Sequence, residues 1–304
     1  MTDFTGELAA LGTAMAFAGG STLFTLAGRR VGSPLVNRTR LLIASVLVMI
    51  LHTLTFGQVL PDASGHEWFW LGLSGIVGLA LGDASLFQAF VMIGPRLSML
   101  MMALAPVLSV VLAWVFLGET LSLVHLIGIG LTVGGIAWVV TERQSKAKNG
   151  SAMLADTPRA YVIGLLFGLG GALGQAGGLV LSKIGLDDGL DPLSGNLIRL
   201  SAALIVVWLF TALQGRLMSS LNRLRSDPKA VGLMSIASVF GPVLGVWLSL
   251  VAVQRAPVGI ASTLMALTPI FLLPVGRFVF QERVSRQAVL GTLVAFVGTV
   301  MLFL

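Results

Sequence analysis

The chain has 304 residues, of which 56% are hydrophobic and 11% charged, with a formal net charge of +6 and no cysteine. A soluble globular domain carries about 25% charged residues, so this composition excludes one, and the missing thiols exclude disulfides and thiolate metal sites. The basic excess resembles a nucleic-acid signature until the bases are located; they fall in loops on one side of a membrane, which points away from nucleic acid.

Apolar runs of about 20 residues cross roughly 30 Å of hydrocarbon at about 1.5 Å per residue. Ten such runs use nearly the whole chain. The start, Met1 to Gly12, carries Asp3 and Glu7 and no base, unlike the n-region of a signal peptide. The first predicted helix covers roughly 7–27 and ends in Gly28-Arg29-Arg30. The second, about 35–56, is opened by Pro34 and Asn37 and holds Arg38 and Arg40 in its first turns. A polar link, 57–67, contains Pro61, Asp62 and His66; the third, fourth and fifth helices follow at about 68–92, 97–117 and 121–141. The most polar stretch, 142–159, with Lys146, Lys148, Asn149, Gly150 and Pro158, reads as a flexible linker between unit 1–141 and unit 160–304. Helices six to ten are predicted at about 160–181, 192–213, 230–253, 258–278 and 284–304.

The second unit repeats the first. Shifting residues 96–141 by 163 positions places them on 259–304 without a gap. Met102-Ala103-Leu104-Ala105-Pro106 meets Met265-Ala266-Leu267-Thr268-Pro269, Glu119 meets Glu282, Ser122 meets Ser285, Gly128 meets Gly291 and Gly135 meets Gly298. Coincident Pro, Glu and Gly carry more weight than apolar matches, because those residues set kinks, ends and close contacts. Asn37-Arg38-Thr39-Arg40 likewise resembles Asn196-Leu197-Ile198-Arg199, and Gly78 and Gly82 fall on Gly241 and Gly245.

Five spans per unit, an odd number, force the two units into opposite orientations, the inverted-repeat plan of secondary transporters. Loop charges fix the sidedness. On the amino-terminal side the loops carry Lys183 and Arg255; the opposite loops carry Arg29, Arg30, Arg143, Lys146, Arg216, Arg223, Arg225, Lys229 and further bases. The basic loops (1–2, 3–4, 5–6, 7–8 and 9–10) are therefore expected in the cytoplasm and both termini outside.

Paired five-helix units with a proline-containing fourth helix, a Gly118-Glu119 or Gln281-Glu282 junction and a Gly-rich last helix resemble the EamA-like branch of the drug/metabolite transporter superfamily. The resemblance covers essentially the whole chain. It implies an all-α integral membrane carrier of ten helices, as two inverted five-helix repeats around a central cavity; the expected location is a bacterial-type inner membrane. It also implies export of amino acids, other metabolites or drug-like solutes. Relatives are usually drawn with both termini cytoplasmic, whereas the loop charges here place them outside.

Asp83 is the acid set well inside a predicted span, about 4 to 5 Å from its midpoint. A carboxylate at that depth costs roughly 2.5 to 3.5 kcal/mol on insertion scales, so it faces a cavity, holds a proton or has a partner. It reads either as a proton-coupling or ammonium-binding site, or as a structural carboxylate paired to Arg40 or bonded at a helix break near Gly82. Its repeat-mate is Val246. Arg40 and Arg199 form a repeat-related pair that either binds a substrate carboxylate or phosphate, or snorkels and bridges helices. Asp187, Asp188 and Asp191 flank Arg199; Arg277 reads as a snorkelling helix end.

Glu119 and Glu282 suit helix starts, with Ser122 and Ser285 as caps. Pro106 and Pro269 read as mid-helix kinks lining the cavity. Gly78, Gly82, Gly241 and Gly245, with Gly130/Gly134 and Gly170/Gly174/Gly178, suit close helix packing. Gln88 and Gln175 are candidate coupling or substrate-binding groups, with Ser98, Ser109 and Thr263 at similar depth. Trp114, Trp247 and Phe87 are candidate cavity aromatics, and Met99, Met101 and Met102 read as core.

The chain has no Gly-x4-Gly-Lys-Ser/Thr loop, and His52, His66 and His125 have no metal-ligand spacing. No catalytic constellation assembles at one depth, so no enzyme and no cofactor are expected. The expected partners are a small solute, membrane lipids and protons, in a monomer or homodimer. A lipid translocase built on the same basket is the alternative function.

Overall fold

The computed structural model describes residues 4–117, 122–148, 157–186, 189–255, 264–280 and 285–302, which are helical and contain no strand. Helices α1 (Thr5–Val31) and α2 (Ser33–Phe56) meet at Gly32, whose φ of 88° favours a residue without Cβ. The third path is compound: α3 (Gly65–Ser74), a π-helical stretch Gly75–Gly82, and α4 (Asp83–Ile93). It starts with a capping box in which Ser64 and Glu67 each bond the other's backbone. The fourth path breaks at Ala103 into α5 (Pro95–Met102) and α6 (Leu104–Leu117).

In the second half come α7 (Leu123–Lys148), α8 (Pro158–Gly185), α9 (Pro192–Leu213), α10 (Leu217–Ser226) and α11 (Pro228–Ser238). A second π-helical stretch, Val239–Gly245, leads into α12 (Val246–Arg255), followed by α13 (Thr268–Phe278) and α14 (Arg286–Met301).

Eight paths are long and apolar enough to cross a membrane by length and composition. Of the ten expected, the ninth lies partly outside the described residues, and the tenth, α14, has 16 residues. Helix α7 continues through Glu142 to Lys148, into the stretch read from sequence as linker. Helix α10 was expected as loop; it is a short amphipathic helix with Arg223 and Arg225 in its last turn. The outer surface suits lipid: Leu54, Leu213 and Phe278 are 80%, 78% and 79% exposed, a patchwork that water would penalise.

The duplication survives in three dimensions. Under the shift of 163, Ile76–Gly82 falls on Val239–Gly245, so both halves widen the helix at the same place. The break at Ala103 falls on the break at Ala266–Leu267 in the same way. Each half also sends its first helix into the other: α8 packs on α3, the first π stretch and α4, while α1 packs on α11, the second π stretch, α12 and α13. Glycines make this approach possible. A Cβ on Gly178 would lie 3.0 Å from Gly78 Cα, and one on Gly20 would lie 3.2 Å from the Gly241 nitrogen. Without a hydrophobic drive between helices in lipid, such backbone contact is a principal source of association.

Helices α7 and α14 form the tightest pair. Gly128 packs against Gly298, where an added Cβ would stand 2.8 Å from the carbonyl oxygen, and Gly135 against Gly291 at 2.6 Å. The register runs in opposite directions along the two helices, so these repeat-mates are antiparallel. Gly130 and Gly134, read as a packing pair, have nothing among the described residues within 4 Å of an added Cβ; the interface instead uses Gly128 and Gly135, on another face.

Candidate functional site

The site begins with the widened turns of the third path. A π-helical turn tilts carbonyls out of the regular ladder, and neighbouring side chains take them. Asn37 Nδ2 donates to the Ala80 carbonyl at 3.2 Å, and Arg40 Nη2 to the Leu79 carbonyl at 2.9 Å. In the other half, Asn196 Nδ2 donates to the Pro242 carbonyl at 3.1 Å. The Asn-x-x-Arg spacing noted on helices two and seven therefore has a function in the fold: on helix two, one turn presents both side chains to the same widened segment, whereas on helix seven Asn196 reaches the second widened segment and Arg199 lies beside Gly78 of the first.

Arg40 is the most constrained of these groups. Its Nη2 forms an ion pair with Asp83, its Nε donates to Asn37 Oδ1 at 3.0 Å, and its guanidinium stands 4.9 Å from the Phe87 ring centroid. Burial explains the number of partners, because 4% of the Arg40 side chain is exposed and an unpaired charge there is costly. Asp83, the first residue after the π stretch, keeps 15% of its side chain exposed. Arg199, on α9 and 3% exposed, reaches the same path from the other half: its Nη2 lies 3.6 Å from where a Cβ on Gly78 would stand. Arginines from both halves thus reach one widened stretch, and the Asp83–Arg40 pairing weighed at the outset is present.

Several other expectations are placed differently. Gln88 is half-buried and accepts a hydrogen bond from the Ser33 hydroxyl, tying α4 to the start of α2. Gln175 is half-buried on α8. Phe87 is not a free cavity aromatic: it is 4% exposed, packed edge-on to Phe24 at 5.0 Å, and supports Arg40. Trp247 packs partly buried against an apolar cluster around Leu41, Leu79 and Leu200. The Trp114 side chain, Thr263, Glu119, Glu282, Asp187 and Asp188 lie outside the described residues. Met99 and Met101 are buried in core clusters and Met102 packs against one. Arg277 is exposed at the end of α13.

Pro106 and Pro269 are not mid-helix. Each falls in the first turn of a new helix, α6 and α13, just after the break, where a missing N–H costs little. Ser98 bonds the Gly94 carbonyl at 2.8 Å, and Ser109 is half-buried. Ser122 and Ser285 accept from the His125 and Ala288 N–H groups at 3.3 and 3.0 Å, as caps. Gly82 abuts Gly174, where an added Cβ would be 2.9 Å from Cα, and Gly245 lies under Phe17. His52, which has no metal-ligand spacing in the sequence, is 2% exposed and bonds Ser194 at 3.0 Å, joining α2 to α9.

On the basic side, Arg30 Nε lies 2.9 Å from Asp227 Oδ2, and Asp227 Oδ1 also accepts from the Ala230 N–H at 3.0 Å. The hydrogen bond from Arg30, then that from Ala230, holds the Asp227 carboxyl below the usual aspartate range.

These elements define a multi-pass helical membrane protein assembled from two copies of one helical unit. The model of the EamA-like transporter family matches residues 4–141 and again 162–304, and the chain belongs to that family. A solved structure described only as the crystal structure of a protein aligns over 96% of this chain and 95% of its own, with a TM-score of 0.61 and 19% identity; this is a likeness of fold. No curated protein matches the chain.

Proposed function

We propose that this protein is a secondary transporter that moves a small solute across a bacterial-type inner membrane by alternating access, in the direction of export. The observation that carries the reading is the Arg40–Asp83 ion pair, inside the molecule at the widened turns of a membrane span, with Arg199 of the other half buried beside Gly78 of the same span. Charges at such a place are expensive and mark substrate or ion pathways. Asp83 is the coupling residue in this reading, exchanging its bond to Arg40 for a proton or a substrate group. The antiparallel α7–α14 pair supports an inverted repeat, and the loop bases support a cytoplasmic side carrying the α10 end.

The moving bodies in this mechanism are not the two sequence halves. The packing argues for α1 with α11–α13 as one unit and α8 with α3–α6 as the other. The breaks at Ala103 and Ala266–Leu267 and the two π stretches serve as hinges.

Purified protein in liposomes loaded with a mixed metabolite pool, read by mass spectrometry with and without an imposed proton gradient, tests this. Selective loss of one compound class is expected, and Asp83→Asn should abolish its dependence on the gradient. Release of no soluble compound, with scrambling of a labelled lipid instead, would replace the carrier by a lipid translocase.

A further inference from the structure

The two halves treat the same Asn-x-x-Arg unit differently. In the first, Arg40 Nε donates to Asn37 Oδ1 at 3.0 Å, and the arginine has an acid of its own. In the second, Arg199 Nε and Asn196 Oδ1 are both buried with no hydrogen-bond partner among the described residues. The orientation of the Asn196 amide is set, because its Nδ2 is spent on the Pro242 carbonyl, so Oδ1 is left as a free acceptor. The position matching Asp83 is Val246, so Arg199 has no repeat-related acid. Its Nη2 lies beside Gly78, where an added Cβ would stand in ordinary contact at 3.6 Å.

Arg199 is 3% exposed and Asn196 is fully buried. A buried guanidinium with an unmade bond is unfavourable, and in hydrocarbon more so than in water. The Asp83 carboxylate is paired with Arg40, and among the described residues Arg199 forms no ion pair, so its positive charge has no direct counter-charge there. Its position is set away from the headgroups: Arg199 lies about 10 Å along its helix from Pro192, and its flanks at Asn196 and Leu200 are fully buried.

We propose that Arg199 and Asn196 form an anion subsite for a small solute carrying a carboxylate or phosphate with a hydrogen-bond donor beside it. Arg199 Nε donates to the anionic oxygen, and Asn196 Oδ1 accepts from the neighbouring hydroxyl or ammonium. This deepens the carrier reading and rests on it for the meaning of the subsite. It makes the solute anionic at one end and assigns its recognition to the second half, with Asp83 left to the first.

The test is thermal unfolding of the detergent-purified full chain, followed by tryptophan fluorescence at constant ionic strength. The probes are glycolate, inorganic phosphate and the neutral glycolamide. Glycolate or phosphate should raise the melting temperature in a saturable way and glycolamide should not. Arg199→Gln should weaken the apparent affinity on the order of tenfold or more, and Arg199→Lys should fall between the two.

An equal response in Arg199→Gln overturns the subsite. So does the absence of a response to either anion in the wild type, or a response to glycolamide equal to that to glycolate. If Arg199→Gln does not fold, the charged-against-neutral comparison on the wild type decides. Stabilisation by phosphatidylglycerol and by neither solute assigns the charge to a lipid headgroup and overturns the solute reading. Transport of a neutral solute without anion binding would sink the subsite alone; anion binding without transport of any solute would sink the carrier reading alone.

Discussion

Arg40 and Asp83 form an ion pair between α2 and α4, two spans of the same half, with the Phe87 ring beneath the guanidinium. Neither charge is tolerable alone at that depth, so the pair is a unit. Breaking one partner of a buried pair costs about 3 to 5 kcal/mol, while replacing both with neutral groups costs less. Arg40→Gln and Asp83→Asn should each lower the melting temperature markedly. The double variant should be closer to the wild type than the sum of the singles. Additive losses in the cycle would mean that the pair does not hold the fold.

Adjacent glycines on α7 offer a sharp contrast. A Cβ at Gly135 would stand 2.5 Å from the Ala295 nitrogen, a backbone atom that cannot swing aside, whereas one at Gly134 meets nothing. Gly135→Ala should cost about 1 to 3 kcal/mol through overpacking. Gly134→Ala should be neutral or stabilising by up to about 1 kcal/mol. Comparable melting temperatures for the two variants would show that α7 and α14 are not packed in this register.

The chain has no cysteine, so paired cysteines can test which bodies move. Arg30 ends α1 and Asp227 precedes α11, in different sequence halves but in one packed unit. A bifunctional thiol reagent joining Arg30→Cys to Asp227→Cys should leave transport intact. Transport that stops on linking and recovers on cleavage would instead favour rocking of one sequence half on the other.

The Arg30–Asp227 link also has a defined pH response. The folded carboxyl titrates below its unfolded value, so its contribution is present above the ordinary aspartate range, near about 4, and is lost as pH falls through the lower folded value. The difference in melting temperature between wild type and Asp227→Asn should therefore stay constant from pH 8 to pH 5 and shrink only in stronger acid. A gap that closes between pH 7 and pH 5 would contradict the hydrogen bonds assigned to this carboxylate.

Much of this architecture is legible from residue order alone, because its causes are local. The thickness of hydrocarbon sets the length of the apolar runs, the cost of charge in lipid marks Asp83, Arg40 and Arg199, and a second copy of the Pro, Glu and Gly pattern reveals the duplication. Tertiary structure decided what local causes leave open. Which face of an all-apolar helix turns inward is not written in its periodicity, so Gly128 and Gly135 pack while Gly130 and Gly134 do not. Helix α10 is too short and too polar to stand out from a loop, and a proline reads the same in a kink as in a first turn. The decisive case is the repeated Asn-x-x-Arg unit, matched at both its Asn and its Arg but closed at Asn37–Arg40 and open, among the described residues, at Asn196–Arg199. The acid that separates them comes from another span, where one half has Asp83 and the other Val246, and only folding brings that difference to the arginines.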